Sequence, residues 1–252
     1  GVVYETKEAV SMYTFDSRVR YSEIDENGTL SVTAAVNYLQ DCSTFQSEDV
    51  GNGVRYLTEH GKAWWLSSWQ IVFDRCPALG EPIVIATYPY DFKGIYGYRN
   101  FMILDREGNY LVRANSVWFL YDLKAGCPVR VTEEDVRAYG DLKAEPLPMD
   151  YAPRKLARLK EYRESQPLTV TRHYIDTNHH MNNARYAEIA AELLPENFSV
   201  GELRMEYTKA AVLGDVIVPR IGESGGGITV ELCSPEGGRY AAAWFSEKKG
   251  IV

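Results

Sequence analysis

With 252 residues, 45% of them apolar, the chain has material for one large or two ordinary soluble domains. Its net charge of −8 excludes a general nucleic-acid or anionic-membrane surface, which needs an excess of Lys and Arg. No stretch approaches the roughly 18 apolar residues of a membrane span, and Cys42, Cys76, Cys127 and Cys233 form no CxxC pair, so neither a disulfide framework nor a zinc site is expected. The start, Gly1-Val2-Val3-Tyr4-Glu5, carries neither the basic nor the apolar part of a secretion signal, although Gly1 in place of Met points to a trimmed beginning. A cytoplasmic protein with reduced thiols is the expectation. Eighteen tyrosines and five tryptophans suit sheets and long apolar pockets.

Along the chain, the Asx-rich turn Asp25-Glu26-Asn27-Gly28-Thr29 precedes an apolar stripe of Ala35, Tyr38, Leu39 and Cys42, the spacing of an amphipathic helix. Ser68–Asp74 alternates with the two-residue period of a half-buried strand. The turn Leu79-Gly80-Glu81 then opens the run Ile83–Ile85, and Asp105–Asn109 joins Phe101–Leu104 to Tyr110–Trp118 as a hairpin. Prolines 146, 148, 153 and 167 mark a linker over residues 146–167, with a short helix expected from Lys155 to Glu164. The pattern then repeats. Asp176-Thr177-Asn178-His179-His180 precedes the stripe Tyr186, Ile189, Ala190 and Leu193, with Leu203–Thr208 as the next strand. Leu213-Gly214-Asp215 opens Val216–Val218, and Ser234–Gly238 joins Ile228–Cys233 to Arg239–Phe245. Both turns and both stripes are offset by 151 residues. Each half is read as one long helix against a curved antiparallel sheet, an α+β arrangement with domains at 1–145 and 168–252. There is no G-x-S-x-G elbow, and Gly225-Gly226-Gly227 lacks the Lys of a phosphate loop.

The two copies differ in chemistry: Thr29 stands where the second copy has His180. Imidazole titrates near neutral pH, so His180 is the natural proton handler. Asp176 can serve as base, nucleophile or orienter of that ring, and Asn178 can position water or a carbonyl oxygen. Backbone N–H groups at the helix start offer an oxyanion site. The plain alternative is that Asp176 and Asn178, like Asp25 and Asn27, only shape a capping turn. His179 is expected at the surface or behind the reacting groups, and Asn182 and Asn183 at the helix start. The adjacent histidines point apart, which disfavours metal, and no cofactor is expected. Glu188 and Glu192 are read as a solvated helix face. Trp64, Trp65 and Trp69 either line an apolar pocket or fill the core. The basic run containing Arg154, Lys155 and Arg158 is either a docking surface for an acidic partner or an ordinary solvated helix.

A D-x-N-x-H helix entry, duplicated in tandem, resembles the double hotdog fold. The segments 20–24, Asn37–Asp41, Trp64–Pro77, Arg113–Trp118, Asp176–Tyr186 and Met205–Lys209 make the chain similar to the acyl-acyl-carrier-protein thioesterases of plants and bacteria. That resemblance implies hydrolysis of fatty acyl-acyl carrier protein to free fatty acid and holo-carrier protein, terminating fatty acid synthesis. It also implies acyl carrier protein as partner, a catalytic second domain, and a first domain supplying most of the acyl pocket. Plant members carry an adjacent Glu-Cys pair beyond the L-E-Y strand; here Ala210 and Ala211 stand there, which removes any mechanism needing a Cys nucleophile at that place. An acyl-coenzyme A thioesterase, a hotdog dehydratase and a non-catalytic acyl-binding module are the competing readings. Two fused hotdogs fit a monomer or a homodimer.

Overall fold

The computed structural model describes residues 12–140 and 144–248. The Gly1–Glu5 start, residues 141–143 and the outer ends of the two expected domains lie outside them. The chain divides into two compact units, one formed by 1–66 and 74–151, the other by 67–73 and 152–252. The division falls at Tyr151, inside the expected linker, and a strand segment from the first half belongs to the second unit.

The first unit contains β1 (Tyr13–Arg18), α1 (Val32–Asp49), α2 (Val54–Glu59) and the start of β2 (Lys62–Phe73). It continues with β3 (Pro82–Lys93), β4 (Tyr96–Leu104), β5 (Tyr110–Asp122), β6 (Cys127–Pro128) and α3 (Glu133–Val136). Its strands run antiparallel in the order β1-β3-β4-β5. Helix α1 starts where the Ser31 hydroxyl accepts the Ala34 N–H at 3.1 Å. It buries Ala35, Tyr38, Leu39 and Cys42, the expected stripe, against β1, β3 and β4. The opposite face of the sheet is also covered: Val84, Ala86, Met102 and Leu104 pack with Ala144 and Leu147. Both faces of β3 are therefore apolar (Ile83 and Ile85, then Val84 and Ala86), as a strand buried on two sides requires.

The second unit holds residues 67–73 of β2, then β7 (Arg163–Glu164), β8 (Leu168–Thr169), α4 (Asn183–Glu192) and β9 (Val200–Tyr207). It ends with β10 (Val216–Ser224), β11 (Gly227–Cys233) and β12 (Arg239–Glu247). Its antiparallel order is β2-β9-β12-β11-β10-β7. Helix α4 buries Tyr186, Ile189 and Ala190, while Leu193 is its C-cap. It is 10 residues long against 18 for α1 because Leu194-Pro195 follows, and the residue before a proline disfavours helical geometry.

The expected helix from Lys155 to Glu164 is absent. This stretch is an extended strap whose amides go to side chains of the sheet instead of to its own carbonyls. Ala152 N–H reaches Gln70 Oε1 at 2.8 Å, Leu156 N–H reaches Glu206 Oε2 at 2.6 Å, and Leu159 N–H reaches Glu231 Oε1 at 3.1 Å. Arg239 bridges the two carboxylates at 3.0 and 3.2 Å and donates to the Leu156 carbonyl. At Gly222 the strap passes so close that an added Cβ would strike the Glu161 carbonyl. Glu231 is 1% exposed and faces two cations, Arg239 at 3.2 Å and Arg158 at 3.9 Å. Arg239→Leu is expected to destabilise the protein by about 3 kcal/mol in urea unfolding, because it removes the buried cation that bridges two carboxylates.

Candidate functional site

The two motif turns share one backbone scheme. In the first, Asp25 N–H donates to the Thr29 carbonyl at 2.9 Å and Gly28 N–H to the Asp25 carbonyl at 3.0 Å. In the second, Asp176 N–H donates to the His180 carbonyl at 2.8 Å and His179 N–H to the Asp176 carbonyl at 3.0 Å. Each turn is then pinned to a later strand-entry segment: Leu30 N–H to the Pro77 carbonyl at 2.9 Å, Met181 N–H to the Ala211 carbonyl at 2.8 Å. The scheme places Gly28 and His179 at the same position, with φ of +74° and +61°. Glycine takes the left-handed region without penalty, whereas a histidine there is uncommon.

The Asx expectation for both copies holds at the level of the turn, not of the cap. Asp25 Oδ1 accepts from the Asn27 and Thr29 amides, and Asp176 Oδ1 accepts the Asn178 N–H at 2.8 Å. The helix caps themselves are Ser31 and Asn182, the latter accepting the Ala184 N–H at 2.9 Å. Asp176 and His180 are partly buried, while Asn178 and His179 are exposed. One five-residue turn, Asp176–His180, thus carries a carboxylate, an amide and an imidazole at the entry to α4. Glu188 forms an ion pair with Arg185 at 2.8 Å, and Glu192 is exposed, consistent with a solvated face. Among the described residues, no group of three His, Cys, Asp or Glu side chains is arranged to hold a metal.

Ala211 is fully buried and Ala210 exposed. The Ala211 amide donates to the Tyr186 hydroxyl at 2.9 Å, so this residue is held on both its polar groups. Sequence reasoning counted Tyr186 only as part of an apolar stripe. The signal it passed over was the pairing at offset 151, where Ala35 stands opposite Tyr186.

Trp64 and Trp65 have different neighbours. Trp64 lies against Phe92, its ring centroid 5.8 Å away, and Trp65 stacks on Tyr121 at 3.7 Å. Successive strand residues point to opposite faces, so one lining holds at most one of that pair. Trp69 is 2% exposed and belongs to the second unit. In the basic run, Arg154 donates to Ser67 Oγ at 3.3 Å, and Arg158 lies 3.9 Å from Glu231. Lys155 is exposed.

Comparison with known proteins places this architecture. The profile of the acyl-ACP thioesterase N-terminal domain matches residues 10–139, and that of the acyl-ACP thioesterase C-terminal domain matches residues 157–235. The chain belongs to the acyl-ACP thioesterase family. An acyl-[acyl-carrier-protein] hydrolase of Cuphea viscosissima, described as chloroplastic, is 26% identical over 76% of this chain and 50% of its own length. A palmitoyl-acyl carrier protein thioesterase of Gossypium hirsutum, also described as chloroplastic, is 25% identical with the same coverage. The chain therefore spans about half the length of the curated relatives it matches. An acyl-ACP thioesterase from Bacteroides thetaiotaomicron superposes with a TM-score of 0.84 at 24% identity, covering 94% of this chain and 98% of that one. A 12:0-ACP thioesterase from Umbellularia californica gives 0.82 at 18% identity, covering 94% and 97%. The family fold, a tandem hotdog, is the fold of this chain.

Within this family architecture, His179 is the side chain that the turn accommodates at a cost. His179→Gly is expected to leave the turn intact and to raise stability by up to about 1 kcal/mol in urea unfolding, since glycine relieves the left-handed conformation.

Proposed function

We propose that the chain hydrolyses fatty acyl-acyl carrier protein to free fatty acid and holo-carrier protein, the step that ends fatty acid synthesis. The observation that carries this reading is the unequal duplication in a chain of this family: both turns keep the same backbone scheme, and His180 occurs in one of them. If the motif were only a helix entry, Thr29 would serve in both places.

In this reading His180 moves the proton between attacking water and departing thiol. Asp176, whose Oδ1 is occupied by the Asn178 amide, uses its second oxygen to orient the imidazole or the water. Asn178 is exposed and offers its side-chain amide to water or to the thioester carbonyl. Thiolate is a good leaving group, so water activation and oxyanion support set the rate. No step uses Ala210 or Ala211 side chains, which have no polar atoms. One of the aromatic faces at Trp64 or Trp65 serves the acyl chain. The carrier protein, acidic around its attachment site, meets exposed Lys155, because Arg154 and Arg158 already bond within the second unit. Among the described residues no helix is long and apolar enough to cross a membrane, and all four cysteines are free thiols, which fits a reducing cytoplasm.

A panel of acyl-carrier-protein and acyl-coenzyme A thioesters tests the reaction. Wild type is expected to favour the carrier-protein substrates, and His180→Ala, Asp176→Asn and Asn178→Ala to lose about 100-fold or more in kcat/KM while folding normally. Folded wild type that turns over no thioester would refute the hydrolase reading. Full activity in His180→Ala would move the proton chemistry to another residue.

A further inference from the structure

Arg99 on β4 is 8% exposed, yet no Asp or Glu among the described residues pairs with it. Its Nη1 donates to Gln46 Oε1 at 2.5 Å and to Thr87 Oγ1 at 3.2 Å, and its guanidinium carbon lies 5.4 Å from the centre of the Tyr139 ring. Nε and Nη2 have no acceptor among the described residues. Both keep some access to solvent. The groups around them cannot supply the missing charge. Thr87 spends its own proton on the Asn100 carbonyl at 2.8 Å. Gln46 must turn its oxygen to Arg99, since a guanidinium only donates, so the atom it has left is another donor. Cys42 stays a neutral thiol, because burial pushes it up to about 12 against the pull of Arg99. A buried cation held only by neutral groups is costly.

Arg113 shows what the open edge of such a guanidinium does when a carboxylate is present. Its Nε and Nη2 bond the two oxygens of Asp74 at 2.8 and 2.7 Å. Those two nitrogens form the side-on fork that matches a planar carboxylate, and they are the pair left open in Arg99.

The second unit supplies an internal control. Eight residues after the leucines of Leu79-Gly80-Glu81 and Leu213-Gly214-Asp215 stand Thr87 and Ile221. Thr87 pairs with Phe101 and Ile221 with Val230; two residues before these partners stand Arg99 and Ile228. The same hairpin is therefore built with two isoleucines where the first unit has Thr87 and Arg99. The fold does not require a cation at this place.

We infer that Arg99 anchors a carboxylate-binding site in the first unit, its Nε–Nη2 edge taking the two oxygens of an aliphatic acid. One uncompensated charge calls for a monoanion, and a planar fork favours two coplanar oxygens over a sphere. The residues beside the guanidinium suit an aliphatic tail. Phe101 is next on the same face of β4, Cys42 lies one turn before Gln46 on α1, and both are fully buried. A fatty acid and a short-chain acid carry the same head. Fatty acid as the source rests on the hydrolase reading above, whereas the site does not.

Calorimetric titration of the whole chain with sodium acetate, sodium decanoate below its micelle concentration and sodium chloride, all at one ionic strength, tests the site without turnover. Wild type is expected to bind one carboxylate that chloride does not displace. Arg99→Met is expected to weaken that binding about tenfold or more, and Arg99→Lys, which keeps the charge without the fork, by a similar factor. Gln46→Glu brings a carboxylate to Arg99 from within the chain; it is expected to weaken binding about tenfold and to raise the urea midpoint. Decanoate binding tighter than acetate assigns the site to fatty acids, and equal affinities assign it to the head alone. Carboxylate binding that survives Arg99→Met, equal displacement by chloride, or no binding of either acid overturns the inference. Should Arg99→Met not fold, unchanged affinity in Gln46→Glu overturns it. A protein that binds decanoate through Arg99 but cleaves no thioester supports the site and refutes the hydrolase reading.

Discussion

The hydrogen bond from Met181 N–H to the Ala211 carbonyl is the constraint on which the candidate site depends. It ties the motif turn, which carries Asp176, Asn178 and His180, to the segment that leads into β10. The same bond joins Leu30 to Pro77 in the first unit. Because it is made by backbone alone, side chains around it can change without moving the turn. The chain therefore holds two copies of one backbone geometry that carry different side chains.

A second constraint is electrostatic. Glu206 and Glu231 accept from strap amides while Arg239 neutralises them, so three charged groups in the sheet of the second unit are satisfied only when residues 156 and 159 lie across it. A connection of this kind is part of the fold it crosses. Residues 67–73 add to the dependence, because they pair with β9 from a position far earlier in the chain. The second unit is assembled from two separated stretches, 67–73 and 152–252.

Most of the architecture was legible in sequence where local periodicity and tertiary burial agree. The stripes at Ala35–Cys42 and Tyr186–Ala190 became buried helix faces, and both hairpins formed around turns with left-handed glycines, Gly108 and Gly237. The strap was misread because Arg154–Arg163 has helical composition but its amides find stronger acceptors in Glu206 and Glu231. Long-range side-chain acceptors leave no local trace. For the tryptophans, adjacency in sequence says only that Trp64 and Trp65 fall on opposite faces of their strand, where they meet Phe92 and Tyr121 respectively. The motif itself was visible, but not that its turn sets His179 in the left-handed region, since Gly28 and His179 were not compared as equivalents.

Aligned through their shared hydrogen bonds, the two turns and their contacts differ, among other places, at four positions that bear on strain and polarity: Gly28 against His179, Thr29 against His180, Ala35 against Tyr186, and Pro77 against Ala211. At three of them the first unit has the more comfortable choice. Glycine suits the positive φ, proline needs no partner for an N–H, and alanine buries no polar atom. The second unit accepts a strained histidine, a buried phenol and an amide that must be paired. Stability alone would favour the first set in both units. Departure from it occurs in one turn, the one with the imidazole, and strain kept in one of two equivalent turns is a choice that stability does not explain.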